Sequence, residues 1–176
     1  MTEYCHHIEK LEVSMYNSDE LACEAIGLTY LMLAQQGLKK FVLSGNKYEW
    51  PEVAKSFNSQ SKTLTCVDFC DLDLDPVCDP FLESIALLNC LEKLTFRYSP
   101  FTKQNMTSLC GARFPYLKTL RFFCSHPPLE SLVQLINNVK DTMAYLAIAP
   151  EISENYVEHA NILMYLSLVE TCSGIK

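Results

Sequence analysis

Apolar residues recur along this chain in a six-residue phrase: apolar, two variable positions, apolar, one variable position, apolar. The clearest copy is Leu91-Glu92-Lys93-Leu94-Thr95-Phe96. Others are Ile8-Leu11-Val13, Leu38-Phe41-Leu43, Leu64-Val67-Phe69, Leu117-Leu120-Phe122, Met143-Leu146-Ile148 and Leu163-Leu166-Leu168. They begin at residues 8, 38, 64, 91, 117, 143 and 163, so the steps are 30, 26, 27, 26, 26 and 20 residues. The fourth and sixth positions are two apart, so a short strand points both to one face. A crossover of roughly twenty residues returns the chain each time, which makes neighbouring strands parallel. One such unit cannot bury its apolar face alone; stacked neighbours seal it.

Between the phrases the period changes to that of helices. Asn17, Ser18 and Asp19 read as helix-start residues, with Glu20 three after Asn17. Leu21, Ala25, Leu28 and Met32 follow at helical spacing, and Gly37 is expected as a left-handed C-cap. Pro51 opens a second helix with Val53 and Phe57 inward, ended by Ser59-Gln60-Ser61. Pro80 opens a third, with Phe81, Ile85 and Leu88 as its stripe. Thr102 is the expected N-cap of a fourth, facing Met106 and Leu109 inward. Pro127-Pro128 start a fifth, with Leu129, Leu132 and Ile136 inward and Asn137-Asn138 as its end. A polar helix is expected near residues 153–161. The step of 20 to Leu163 leaves open a continuation of that helix, since Ile162, Tyr165, Leu166 and Val169 also fit helical spacing.

Composition narrows the function classes. The 176 residues suit one domain, residues 1–176, with no linker or low-complexity break. The net charge of −7 argues against a nucleic-acid surface, which needs a basic stripe. No secretory signal opens the sequence, and the most apolar stretch, residues 26–34, is too short to span a bilayer. The nine scattered cysteines then read as reduced thiols, which places the chain in the cytoplasm or nucleus. Neither end reads as a polar cap, so the chain is expected to be a piece of a longer protein, or to pair its ends with something else.

Repeats of about 20–29 residues carrying L-x-x-L-x-L are the pattern of leucine-rich repeats. The expected fold is α/β: a leucine-rich-repeat solenoid, or horseshoe, of about seven repeats of about 26 residues. A parallel sheet lines its concave side and helices its convex side. With Phe114-Pro115-Tyr116-Leu117-Lys118-Thr119-Leu120 and Pro128-Leu129-Glu130-Ser131-Leu132, the chain resembles the leucine-rich-repeat region of F-box proteins, above all the degenerate fungal sets. In that family an F-box docks a Skp-type adaptor of a cullin ubiquitin ligase, and the repeats select the substrate. No F-box segment precedes the first phrase here, so the resemblance implies the substrate-receptor half; a Skp-type adaptor is a partner only if a longer form carries an F-box. The competing reading is a stand-alone scaffold or inhibitor with no link to a ligase. The family's ninth-position asparagine is irregular: Tyr16, Asn46, Leu72, Ser99, Ser125, Glu151 and Thr171 occupy it. Serine and threonine make a similar backbone bond more weakly.

A ligand would meet the third, fifth and seventh residues of each phrase, which face away from the core. Seven strands about 4.8 Å apart make a surface roughly 29 Å long. On it Lys93, Arg97 and Arg121 form a basic spot, and Phe123, Tyr145 and Tyr165 an adjoining aromatic area. The expected partner is a protein or peptide carrying acidic and apolar groups. Catalytic and cofactor motifs are not found. Cys66, Cys70 and Cys78 with Cys5, His6 and His7 lack the paired short spacings of structural zinc sites. Asp71, Asp73 and Asp75 lack the glycine and distal glutamate of a calcium loop. No G-x-S-x-G elbow or phosphate-cradling glycine loop occurs. The expectation is a binding module without metal, cofactor or enzymatic activity.

Overall fold

The structure, a computed structural model, describes residues 5–15, 21–45, 50–74 and 79–149. Among the described residues six five-residue strands alternate with five helices. The strands are β1 (Lys10–Ser14), β2 (Lys40–Ser44), β3 (Cys66–Cys70), β4 (Lys93–Arg97), β5 (Thr119–Phe123) and β6 (Tyr145–Ala149). The helices are α1 (Leu21–Leu33), α2 (Trp50–Phe57), α3 (Asp79–Ala86), α4 (Met106–Cys110) and α5 (Leu129–Val139). A 3-10 turn at Asn58–Gln60 follows α2. The strands form one open parallel sheet in sequence order, and consecutive helices pack side by side.

The register follows the phrase. Leu11, Phe41, Val67, Leu94, Leu120 and Leu146 stand in one row across the sheet. Val13, Leu43, Phe69, Phe96, Phe122 and Ile148 stand in a second. From β2 to β5 every member of these rows is fully buried. Helix residues close over them, and phenylalanine rings join the two layers. Phe57 of α2 meets Phe41 and Phe69 at 5.5 and 6.5 Å, edge to face. Phe81 of α3 meets Phe57 and Phe69 at 5.7 and 5.1 Å. Phe101 stands between Phe96 and Phe122 at 4.9 and 5.6 Å. Such T-shaped pairs put ring edges on ring faces and add about 0.5–1.5 kcal/mol each beyond area burial.

Two rails of backbone hydrogen bonds run across the strands. At the start of the strands, the carbonyls of Glu9, Lys39, Thr65, Glu92 and Lys118 each accept two N–H groups from the next unit. At the end, the N–H groups of Gly45, Asp71, Tyr98 and Cys124 donate to Cys70, Arg97, Phe123 and Ala149 at 2.7–3.0 Å. Asp71, Tyr98 and Cys124 hold left-handed φ angles of 59, 52 and 49°. Gly45, the equivalent residue after β2, has φ 147°, and a Cβ there would run into the Met15 carbonyl. Just beyond, Ser99 and Ser125 continue the second rail: their hydroxyls accept the N–H of Leu72 and of Ser99 at 3.2 and 3.0 Å. Both hydroxyls donate back to the Arg97 and Phe123 carbonyls. The other ninth-position residues, Tyr16, Asn46, Glu151 and Thr171, lie outside the described residues. So do Asn17 to Glu20, the helix expected near 153–161 and the phrase at Leu163.

Ala25, Leu28 and Met32, Val53 and Phe57, Phe81, Ile85 and Leu88, Met106 and Leu109, and Leu132 and Ile136 are buried as expected; Leu129 is only partly buried, the Leu21 side chain lies outside the described residues, and three helix ends differ. Gly37 does not take a left-handed φ; α1 stops at Leu33, and Gln35 ends it instead. The Gln35 amide donates to the carbonyls of Leu31 and Cys5, and its oxygen accepts the Ile8 N–H, so the stop is tied to the segment before β1. Helix α4 begins at Met106, later than Thr102. Thr102 instead makes a reciprocal box with Asn105: each side-chain oxygen accepts the other's N–H, at 3.2 and 2.9 Å. Asn138 does not end α5, which runs on to Val139. Its amide reaches the Cys110 carbonyl at 2.5 Å and fastens α5 to the unit before it.

Candidate interaction surface

The face of the sheet opposite the helices carries the third, fifth and seventh residues of each phrase. The register arranges them as three rows. The first reads Lys10, Lys40, Cys66, Lys93, Thr119 and Tyr145; the second Glu12, Val42, Asp68, Thr95, Arg121 and Ala147; the third Ser14, Ser44, Cys70, Arg97, Phe123 and Ala149. Lys93, Arg97, Arg121, Phe123 and Tyr145 are thus brought together on β4, β5 and β6. Tyr165 lies outside the described residues.

Arg121 sits at the middle of this group. Its guanidinium carbon lies 4.8 Å from the centre of the Tyr145 ring, a cation–π contact. Arg97 donates from Nε to Asp68 at 3.1 Å, and both partners are partly shielded from water. Of the two arginines, Arg97 is therefore engaged by a carboxylate within the sheet. Lys93 and Phe123 are half-buried, and Tyr145 is exposed.

Sequence pattern assigned every residue of these rows to solvent, yet Val42 and Thr95 are buried. On adjacent strands, Thr95 directly faces Arg121. The Thr95 hydroxyl and Arg121 Nε are both buried, and neither finds a hydrogen-bond partner among the described residues. A buried donor left unmatched costs about 1–3 kcal/mol, more when charged. Two such groups side by side suit an acceptor supplied from outside. Residue type pointed to Arg121; nothing in the sequence pointed to Thr95, because an outward strand position reads as solvated.

The two thiols on β3 carry no nucleophilic signature. Burial pushes Cys66 above its ordinary pKa of 9.0, against the lowering pull of Lys93 and Lys40. Burial likewise raises Cys70, against Arg97. Both stay protonated at neutral pH, the form that neither attacks nor ligates well. Cys78 and Asp75, members of the metal patterns weighed above, lie outside the described residues. Among the described residues no three His, Cys, Asp or Glu side chains converge as a metal site. There, too, no helix is long and apolar enough to cross a membrane. Protein-family models, curated proteins and solved structures give no match to the chain.

Proposed function

We propose that this chain is a protein-recognition module of leucine-rich-repeat type, resembling the substrate-receptor region of F-box proteins. In this reading the sheet continues through the phrase at Leu163, giving about seven repeats, and curves so that its open face is concave. The observation that carries the proposal is the pair of unmatched buried donors, Thr95 Oγ1 and Arg121 Nε, at the centre of that face. A peptide carboxylate or main-chain carbonyl would accept from both, while Phe123 and Tyr145 cover its apolar neighbours. Tyr and Arg are frequent anchors of this kind.

The test is affinity capture with the full-length gene product, followed by identification of what is retained. Arg121→Glu and Arg97→Glu should abolish retention of the specific partner, and Thr95→Val should weaken it several-fold. Unchanged capture by all three variants rejects the site. Retention of a Skp-type adaptor by a longer form supports the ubiquitin-ligase receptor; a retained partner without any adaptor favours the stand-alone scaffold.

A further inference from the structure

On the described strands the open face carries the cations Lys10, Lys40, Lys93, Arg97 and Arg121 against the carboxylates Glu12 and Asp68, although the whole chain has a net charge of −7. Lys10 is met by Glu12, and Arg97 by Asp68. Lys40, Lys93 and Arg121 make no ion pair among the described residues. Like charges gathered in this way repel one another, and an anion between them relieves the repulsion. They enclose two neutral groups. Lys40 and Lys93 are the direct strand neighbours of Cys66, one on each side. The fields of Lys93, Lys40 and Arg121 all reach its thiol, with Asp68 opposing them. Arg121 is the direct neighbour of Thr95, which is only 3% exposed and whose hydroxyl is unmatched among the described residues. The register sets Cys66, Thr95 and Phe123 on one diagonal of three adjacent strands. Each step of it runs one strand across and two residues along, about 8 Å.

We propose that this diagonal takes an extended peptide segment in the order acidic, any, acidic, any, apolar. The first carboxylate lies between Lys40 and Lys93, the second over Thr95 and Arg121, and the apolar side chain on Phe123. This deepens the recognition reading above and rests on it. Alternate side chains of an extended chain share a face and stand roughly 6.6–6.8 Å apart, the spacing nearest to the diagonal step, whereas adjacent ones point to opposite faces. The flexible stems of glutamate cover the small remainder. At the second position the Thr95 hydroxyl donates to one carboxylate oxygen and Arg121 Nε–H to the other. Asp68, the other strand neighbour of Thr95, sets the charge accepted there. Its carboxylate opposes a doubly charged phosphate more than a singly charged carboxylate. The site therefore selects acidic residues rather than phosphorylated ones.

The probe is a fluorescein-labelled peptide with glutamate, serine, glutamate, serine and leucine in that order at its centre, and fluorescence anisotropy with the full chain reads its binding. The wild type should bind it. Moving the two glutamates side by side, or replacing either by glutamine, should weaken binding at least about tenfold. Phosphoserine in place of the second glutamate should weaken it as well. Lys93→Glu and Arg121→Glu should abolish binding and Thr95→Val reduce it several-fold, each with an unchanged far-ultraviolet spectrum. Lys93→Glu should regain binding to a peptide whose first glutamate is replaced by lysine, a rescue that a misfolded variant cannot give. A wild-type chain that ignores the peptide overturns the proposal. So does equal binding of the side-by-side version, equal or tighter binding of the phosphoserine version, or failure of the rescue. If the peptide results fail while capture of a protein partner still depends on Arg121 and Thr95, the recognition reading stands and this inference alone falls.

Discussion

Replacing Phe96 by alanine is the sharpest probe of how the layers hold together. The ring is fully buried at the centre of the sheet. It stacks on Phe122 at 5.6 Å, leans on Phe69 at 5.4 Å and meets Phe101 edge-on at 4.9 Å. Truncating a buried phenylalanine costs about 3–5 kcal/mol, depending on how far the site can collapse. Here it cannot collapse far, because backbone bonds at both strand ends fix the spacing of β3, β4 and β5. Three ring pairs vanish as well, each contributing about 0.5–1.5 kcal/mol. The expected loss is therefore about 4–5 kcal/mol, at the upper end of that range. Urea unfolding followed by circular dichroism measures it, with Tyr116→Ala as the exposed control, expected within about 0.5 kcal/mol of wild type. A Phe96→Ala loss under about 1 kcal/mol would refute the account of a phenylalanine-sealed core.

Ser99→Ala and Ser125→Ala each strand a buried N–H, of Leu72 and of Ser99 respectively, and should cost about 1–3 kcal/mol by the same unfolding assay. Gly45→Ala forces a methyl group against the Met15 carbonyl and should lower stability by at least about 1–3 kcal/mol, with hydrogen exchange rising first at β1 and β2. Cys66 and Cys70 should react with a disulfide reagent more slowly than the exposed Cys5 and Cys23, with midpoints above 9. The unfolded chain loses these thiol protons first. Their contribution is thus complete below about pH 9 and declines as pH climbs through the raised folded values, which pH-dependent unfolding would show.

The strand rows were legible because a two-residue period with Leu, Val and Phe leaves one choice of inward face. Val67, Leu94 and Leu120 fall in one row, and Phe69, Phe96 and Phe122 in the next, as the phrase required. Helix stripes such as Phe81 and Ile85 were equally plain. Helix ends were not, because they depend on partners far along the chain. Gln35 stops α1 by reaching Cys5 and Ile8, a contact no local pattern encodes. Nor do the left-handed turns show in residue type, since Asp71, Tyr98 and Cys124 share no chemistry. At the candidate site the residues Arg121 and Tyr145 were readable, but their mutual contact, the Asp68 hold on Arg97 and the burial of Thr95 needed the register.

The rails of main-chain bonds have a consequence for how such a protein can diversify. They use atoms common to every amino acid, so the pitch of the assembly is indifferent to what the open face displays. Substitutions at its exposed positions should therefore cost folding little, unlike those at the buried Val42 and Thr95. A lineage carrying this scaffold could rewrite its binding preference residue by residue while the framework beneath stays as it was.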